Sequence, residues 1–423
     1  MRVLIVSYTF PPAGGVGVQR VSKLVKFLPE FGVEAAVLTA RDPSVPIEDA
    51  GTLRDIPTNL NITRTRTLEP SYRLKAKVWH DATKTNTLRR KVVRFASRLL
   101  VPDPQILWLP ATASELFRLS KQVDVVLFTA PPFSPFLLGP LSRVPFVLDY
   151  RDEWRMAASY EMHEGPWLTR FIDRLEPALL RRAAMIVTAT DEFRTNLLER
   201  IPSLDPERIV TITNGYDPDD FPELAQDPLL HSLPERKLVM TYAGTTFRHT
   251  SPRGFLAALR LLEERNPSIL SRLHVRFVGR VVPTEMVNFE RISVPCVERI
   301  PYVPRENALR LLAQSDVMLL ILDAVPHAEA MYPAKIFEMM HLRRPLLALA
   351  PQGALSRLVQ RHHLGQVVHP RDPAAIAQAL EGYVRAFDEG ELEAPISPID
   401  VERYHRRVIA GQFADVLRQA RFT

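Results

Sequence analysis

The chain has 423 residues, 46% hydrophobic and 24% charged, a globular balance that argues against long disordered stretches and fits two domains. A single cysteine, Cys296, excludes an intramolecular disulfide and a thiolate metal cluster, and it gives the expectation of a reducing, cytosolic setting. The net charge of +6 points to anionic partners, whether nucleic acid, phosphorylated substrates or a membrane surface, without choosing among them.

Short apolar runs alternate with helical patterns along the whole chain, which predicts parallel α/β architecture. In the first half the strand-like runs are Val3–Ser7, Glu34–Leu38, Val123–Phe128, Phe146–Leu148, Met185–Thr188 and Ile209–Ile212. Helical stretches at Val18–Phe31 and Leu168–Arg182 fall between them. The segment 217–236 holds Pro218, Pro222, Pro228 and Pro234 and little periodicity, which predicts a linker. The rhythm then restarts with strands at Leu238–Ala243, His274–Val278, Val317–Leu322, Leu346–Ala350 and Gly365–Val368. Helices are expected at Arg253–Arg265, Arg305–Gln314, Pro333–Leu342, Leu355–His362 and Pro373–Phe387. The tail Val401–Arg421 reads as a basic amphipathic helix that packs back on the first unit. No apolar run reaches the roughly 18–20 residues needed to span a bilayer, and the first apolar run is too short for a signal sequence.

The polar positions sit where these strands end. After the first strand, Pro11–Gly17 contains Gly14, Gly15 and Gly17, which allow close backbone approach to a ligand but lack the dinucleotide G-x-G-x-x-G spacing. Asp149–Arg155 crowds charges at the end of Phe146–Leu148; Asp152 is placed to bind sugar hydroxyls or orient Arg151, the alternative being a surface ion-pair cluster. The loop Gly244–Gly254 opens with glycine and carries Arg248 and Arg253, a potential diphosphate clamp or an ordinary capped loop, with Ser251 as N-cap and Pro252 at N1.

In Tyr332–Met340, Pro333 suits the first helical turn, so the amides of Ala334 and Lys335 form a phosphate site with the Lys335 ammonium, and Glu338 lies one turn on. From Leu238 onward there are 22 arginines and this one lysine, a choice that suits a compact ammonium over a planar fork. Chance at a solvated helix start is the alternative. No His or Cys spacing fits a metal site, since His362 and His363 are adjacent, and G-x-S-x-G is missing.

In order, the pieces YTFPPAGGVG, PDPQILW, APPFSPFLLG, LDYRDEW, TNGYDPDDF, YAGTTF, FVG, PYVPRENALRLLAQSDVMLL, PAKIFEMMHLRRPLLAL and LGQVV resemble the GT-B glycosyltransferases, specifically retaining family 4, the glycosyl transferases group 1. The resemblance spans nearly the whole chain. It implies an α/β GT-B fold, with two Rossmann-like parallel-sheet domains facing a cleft and a C-terminal helix crossing back. The expected parts are an acceptor-side domain at 1–217 with the helix 401–423, a linker at 218–236 and a nucleotide-sugar domain at 237–400.

By resemblance, Glu338 binds the ribose, while Pro333, Ala334, Lys335, Arg248, Arg253 and Gly244 meet the donor diphosphate. Gly14 and Gly15 face the diphosphate and sugar. Ile300 and Tyr302 lie near the base, and Arg151, Asp152 and Lys335 are the expected catalytic groups. Family members commonly carry a glutamate near the sugar where this chain has Ala330, with Glu329 one residue off register, and many carry a histidine where it has Arg151-Asp152.

The implied activity is metal-independent, retaining transfer of a sugar from a nucleoside-diphosphate sugar, with no cofactor, in synthesis of cell-surface polysaccharide or glycolipid. A nucleotide-sugar epimerase and an inactive nucleotide-sugar-binding partner subunit are the alternatives. The acceptor expectation comes from charge. Residues 73–98 carry nine basic residues against Asp81, and the rest of the chain has 45 basic and 47 acidic residues, so the whole excess is local. Apolar Leu88, Val92, Phe95, Ala96 and Leu99 oppose Arg90, Lys91, Arg94 and Arg98 on a helical pattern. Such a helix fits an anionic membrane or a lipid-linked acceptor more than nucleic acid, and a core-facing helix with a solvated basic side is the alternative. A cytoplasmic protein, peripheral on the inner face of the membrane, is the resulting expectation.

Overall fold

The computed structural model describes residues 1–45, 48–72, 74, 100–154, 166–221, 236–392 and 394–422. Apart from Leu74, the basic segment 73–98 lies outside the described residues, as does most of the linker expected at 218–236. The chain forms two compact units, Met1–Asn214 with Arg406–Thr423, and Gly215–His405.

The first unit runs β1 (Arg2–Val6), α1 (Val16–Phe27), β2 (Glu34–Arg41), β3 (Asn61–Arg66), α2 (Leu109–Leu119), β4 (Val125–Ala130), β5 (Phe146–Tyr150), α3 (Pro166–Arg182), β6 (Met185–Thr188), α4 (Asp191–Arg200) and β7 (Ile209–Thr211). Its strands are all parallel, in the order β3-β2-β1-β4-β5-β6-β7. The second unit runs β8 (Leu238–Ala243), α5 (Arg253–Arg265), β9 (Leu273–Val278), α6 (Pro283–Arg291), β10 (Val297–Ile300), α7 (Arg305–Ala313), β11 (Val317–Ile321), α8 (Lys335–Leu342), β12 (Leu346–Leu349), α9 (Ala354–Arg361), β13 (Gly365–Val368) and α10 (Pro373–Asp388). Its parallel order is β10-β9-β8-β11-β12-β13. Both sheets therefore reverse direction beside their own first strand, as in doubly wound dinucleotide-binding folds. Among the described residues no helix is long and apolar enough to cross a membrane.

The central strands are apolar on both faces because helices cover both sides. β4, β6, β8, β11 and β12 are buried along their whole length. The two strands that periodicity missed, β3 (NITRTR) and β10 (VERI), each form one edge of their sheet, the opposite edges being β7 and β13. Paired on one side only, they keep exposed polar residues, and apolar periodicity is lost.

The tail departs from the expected single helix. A short turn at Glu402–Tyr404 belongs to the second unit, extended His405 breaks the helix, and α11 (Arg406–Arg421) returns to the first. There Ile409, Ala410, Phe413 and Leu417 complete a core with Val3, Ile5, Val21 and Val147.

That core surrounds a buried ion pair. Arg20 of α1 grips Asp149 of β5 at 2.8 Å, and both side chains are fully buried. Arg20 also donates to the carbonyls of Ile212 (2.9 Å) and Thr213 (2.7 Å), and its guanidinium lies 4.9 Å from the Phe413 ring centroid. Thr129 of β4 donates to the other Asp149 oxygen at 2.8 Å. Removing one partner of such a pair strands a buried charge. Arg20→Met is therefore expected to lower the unfolding free energy by about 3–5 kcal/mol. The double variant Arg20→Met/Asp149→Leu should recover part of that loss; chemical denaturation of the three proteins measures both.

Candidate nucleotide site

In the second unit the carboxyl ends of β8, β9 and β10 are knitted together by backbone. Gly244 follows β8 with φ +141°, and its amide donates to the Val278 carbonyl at 2.9 Å. Gly279 follows β9 with φ +127°, and its amide donates to the Ile300 carbonyl at 2.9 Å. A Cβ on Gly279 would sit 2.5 Å from the Gly244 carbonyl oxygen, so both positions need glycine for conformation and Gly279 needs it for space as well.

Lys335 reaches this edge from the start of α8. Its Nζ donates to the Ala243 carbonyl at 3.1 Å and lies 3.8 Å from the Tyr242 ring centroid. A Cβ added to Gly244 would come within 3.0 Å of that Nζ. The structure thus brings together Gly244 and Lys335, which lie 91 positions apart. Pro333 is not the first helical residue as expected. Its carbonyl accepts from Ile336 in a tight turn (2.9 Å), Ala334 takes the N-cap position, and the helix begins at Lys335.

One turn into α8, Glu338 Oε1 accepts from Arg305 Nε (3.2 Å) and Nη2 (2.6 Å). Arg305 also pairs with Asp220 at 3.1 Å. Burial works against the guanidinium charge, but the two carboxylates outweigh it and raise the pKa. Arg305 and Asp220 were not among the expected site residues. In sequence they look like a solvated helix start and a turn acid.

The remaining positions are more dispersed. Arg248 is exposed on a 3-10 turn, and Arg253 is exposed at the first turn of α5. Ser251 does not cap α5, because its hydroxyl donates to Glu285 at 2.7 Å and Pro252 occupies the cap. Arg253 borders an open cavity of about 310 Å³ lined also by Ser251, Gly254, Asp323 and Arg371. Gly254 is pressed on the Pro370 carbonyl, which leaves no room for a Cβ. Ile300 ends β10 and Tyr302, beyond it, is 47% exposed. Glu329 is exposed on the turn Ala328–Ala330, its backbone against Gly353, while neighbouring Ala330 is buried.

In the first unit Gly15 caps α1 with φ +97°, a conformation suited to glycine, with Gly14 before it. Arg151, expected as a catalytic group, donates to three backbone carbonyls: Ala130 (2.9 Å), Gly17 (2.8 Å) and Pro131 (2.7 Å). It clamps the loop after β4 to the start of α1, and a guanidinium so engaged positions backbone. Burial raises the pKa of Asp152 above the ordinary aspartate value; the Arg151 charge opposes this and Asp149 adds to it.

Residues 14–215 match the family described as "Glycosyl transferase 4-like domain", and residues 238–385 match "Glycosyl transferases group 1". The probable glycosyltransferase WbjE of Pseudomonas aeruginosa is 24% identical over 262 residues, which is 59% of this chain. The match spans 61% of that relative's length. Among solved structures, HepE of Anabaena in complex with UDP is similar with a TM-score of 0.62 at 15% identity, over 99% of this chain and 100% of that one. WaaG, a glycosyltransferase involved in lipopolysaccharide biosynthesis, is similar with a TM-score of 0.61 at 15% identity, over 98% and 99% of the two chains.

His249, buried in the loop after β8, provides a pH test of this region. Burial, then the charge of Arg248, lowers its pKa to about 4, with Asp323 opposing. The folded state thus binds fewer protons than the unfolded state between the unfolded value of about 6.5 and about 4, so stability rises with pH across that window. We expect the unfolding free energy to fall by on the order of 2–3 kcal/mol as pH drops through it. The His249→Gln variant should show a flatter profile when both are denatured at a series of pH values.

Proposed function

The chain belongs to the GT-B glycosyltransferases of group 1, and on that basis we propose that it moves a sugar from a nucleoside-diphosphate sugar to an acceptor hydroxyl with retention at the anomeric carbon. The observation that carries the donor reading is the placement of Lys335 against Gly244 at the end of β8, with Glu338 one turn further along α8. An ammonium beside a glycine-lined strand end suits a diphosphate, and a carboxylate one turn away suits a ribose diol. The UDP bound to HepE is consistent with a uridine nucleotide as donor carrier.

The chemical demand is on the leaving group. Breaking the glycosidic bond to the diphosphate leaves negative charge on the phosphate oxygens, and fixed cations in a site shielded from water stabilise it. Lys335 supplies one such cation, held by the Ala243 carbonyl and the Tyr242 ring. Arg248 and Arg253, both exposed, are the further cations assigned to the phosphates. In a front-face route the departing phosphate oxygen takes the acceptor proton, so no strong protein base is needed. Asp152, just beyond the end of β5, is the group assigned to the acceptor hydroxyl.

A role in cell-surface polysaccharide or glycolipid synthesis is supported by the likeness to WaaG. An anionic, lipid-linked acceptor is supported by the local charge of residues 73–98. Flotation of the full chain with anionic vesicles at low salt tests the surface contact; failure to co-float would refute it.

A thermal-shift screen of nucleotide sugars should find a stabilising donor. With that donor, Lys335→Ala and Glu338→Ala should each lower transfer by about a hundredfold or more, while EDTA leaves it unchanged. Normal turnover by both variants would remove the site assignment. Donor incubated without acceptor separates transfer from epimerisation, which would yield an altered sugar nucleotide.

A further inference from the structure

Arg305 is the first residue of α7, preceded by Pro304. A cation at a helix N-terminus opposes the helix dipole. Arg305 is nonetheless mostly buried there, because two carboxylates from distant parts of the unit converge on it: Glu338 from α8 at 2.6 Å and Asp220 at 3.1 Å. Asp220 is itself fixed in a tight turn. Its amide donates to the Asp217 carbonyl at 3.0 Å, and the Asp217 carboxylate accepts from Asp219 at 3.2 Å. Among the described residues, the hydrogen bonds to the Glu338 carboxylate fall on Oε1, from Arg305 Nε and Nη2. A carboxylate offers about four lone-pair sites. With two used by the guanidinium on Oε1, Oε2 keeps two, which matches the two hydroxyls of a ribose diol.

We propose that Arg305 is a positioning residue for the donor ribose: braced by Asp220, its fork fixes one oxygen of Glu338 and presents the other to the 2′- and 3′-hydroxyls. The inference rests on the reading of Glu338 as the ribose-binding carboxylate. It makes Arg305 a determinant of sugar selectivity in the nucleotide, acting through Glu338 and touching no ligand itself. Lysine cannot replace it. A single ammonium lacks the two parallel N–H groups that hold Oε1 in one plane while a third contact reaches Asp220.

The test compares the affinity of the full chain for UDP, GDP and ADP with that for each 2′-deoxy counterpart, together with inorganic pyrophosphate. The wild type is expected to bind at least one ribonucleotide about tenfold or more tightly than its deoxy form, the loss expected when a hydrogen bond to a charged group goes unmade. Arg305→Lys, chosen to keep the charge and the fold, should bring that ratio to within about twofold while pyrophosphate affinity stays within about twofold of wild type. Arg305→Ala should do the same if its melting curve shows a folded protein. A wild-type ratio in Arg305→Lys overturns the role of Arg305 while leaving Glu338 as the ribose ligand. A wild type that does not distinguish the two sugars overturns the Glu338 reading and this inference with it.

Discussion

The buried pair of Arg20 and Asp149 is the constraint around which the first unit closes. Asp149 sits at a central strand with no access to water, so its charge requires a partner, and Arg20 supplies it from the helix after β1. The guanidinium has donors left over, and these go to the carbonyls of Ile212 and Thr213 at the end of β7. Its flat face is then covered by Phe413 of α11. One side chain therefore ties the first helix, a middle strand, the last strand and the C-terminal helix. A hydrophobic isostere can match such a pair in stability, but it cannot select which carbonyls and which ring must meet.

The site of the second unit is built on a different economy. Its strand ends approach so closely that only glycine fits at 279, while Gly244 is required by its left-handed φ of +141°. Lys335 and Glu338 project from one helix, each held by groups outside it: the Ala243 carbonyl and Tyr242 ring at the strand end for the lysine, Arg305 for the glutamate. Preorganisation of this kind lowers the cost of fixing long side chains when a ligand arrives.

The sequence exposed what depends on pattern and hid what depends on pairing. Buried strands such as Val317–Ile321 announce themselves as apolar runs, whereas the edge strands Asn61–Arg66 and Val297–Ile300 carry too many polar and charged residues to do so. Lys335 stood out as the one lysine in a region of arginines, and Glu338 followed from helical spacing. Arg20 and Arg305 could not be singled out among 54 cations, because what distinguishes them is convergence of distant partners. Arg151 was expected at the chemistry because it ends a strand; that position is equally suited to gathering loop carbonyls, and Gly17, Ala130 and Pro131 claim its donors. Ser251 followed the sequence rule for a cap, but a buried carboxylate, Glu285, competed for its hydroxyl.

The return of α11 to the first unit has a consequence for biosynthesis. Domains generally fold as they leave the ribosome, N-terminal first, at roughly 5–20 residues per second. Here the first unit lacks Ile409, Phe413 and Leu417 until the whole second unit has been translated. The nascent N-terminal portion must therefore wait with an apolar face on Val3, Ile5 and Val21 uncovered, so that the unit made first is completed last.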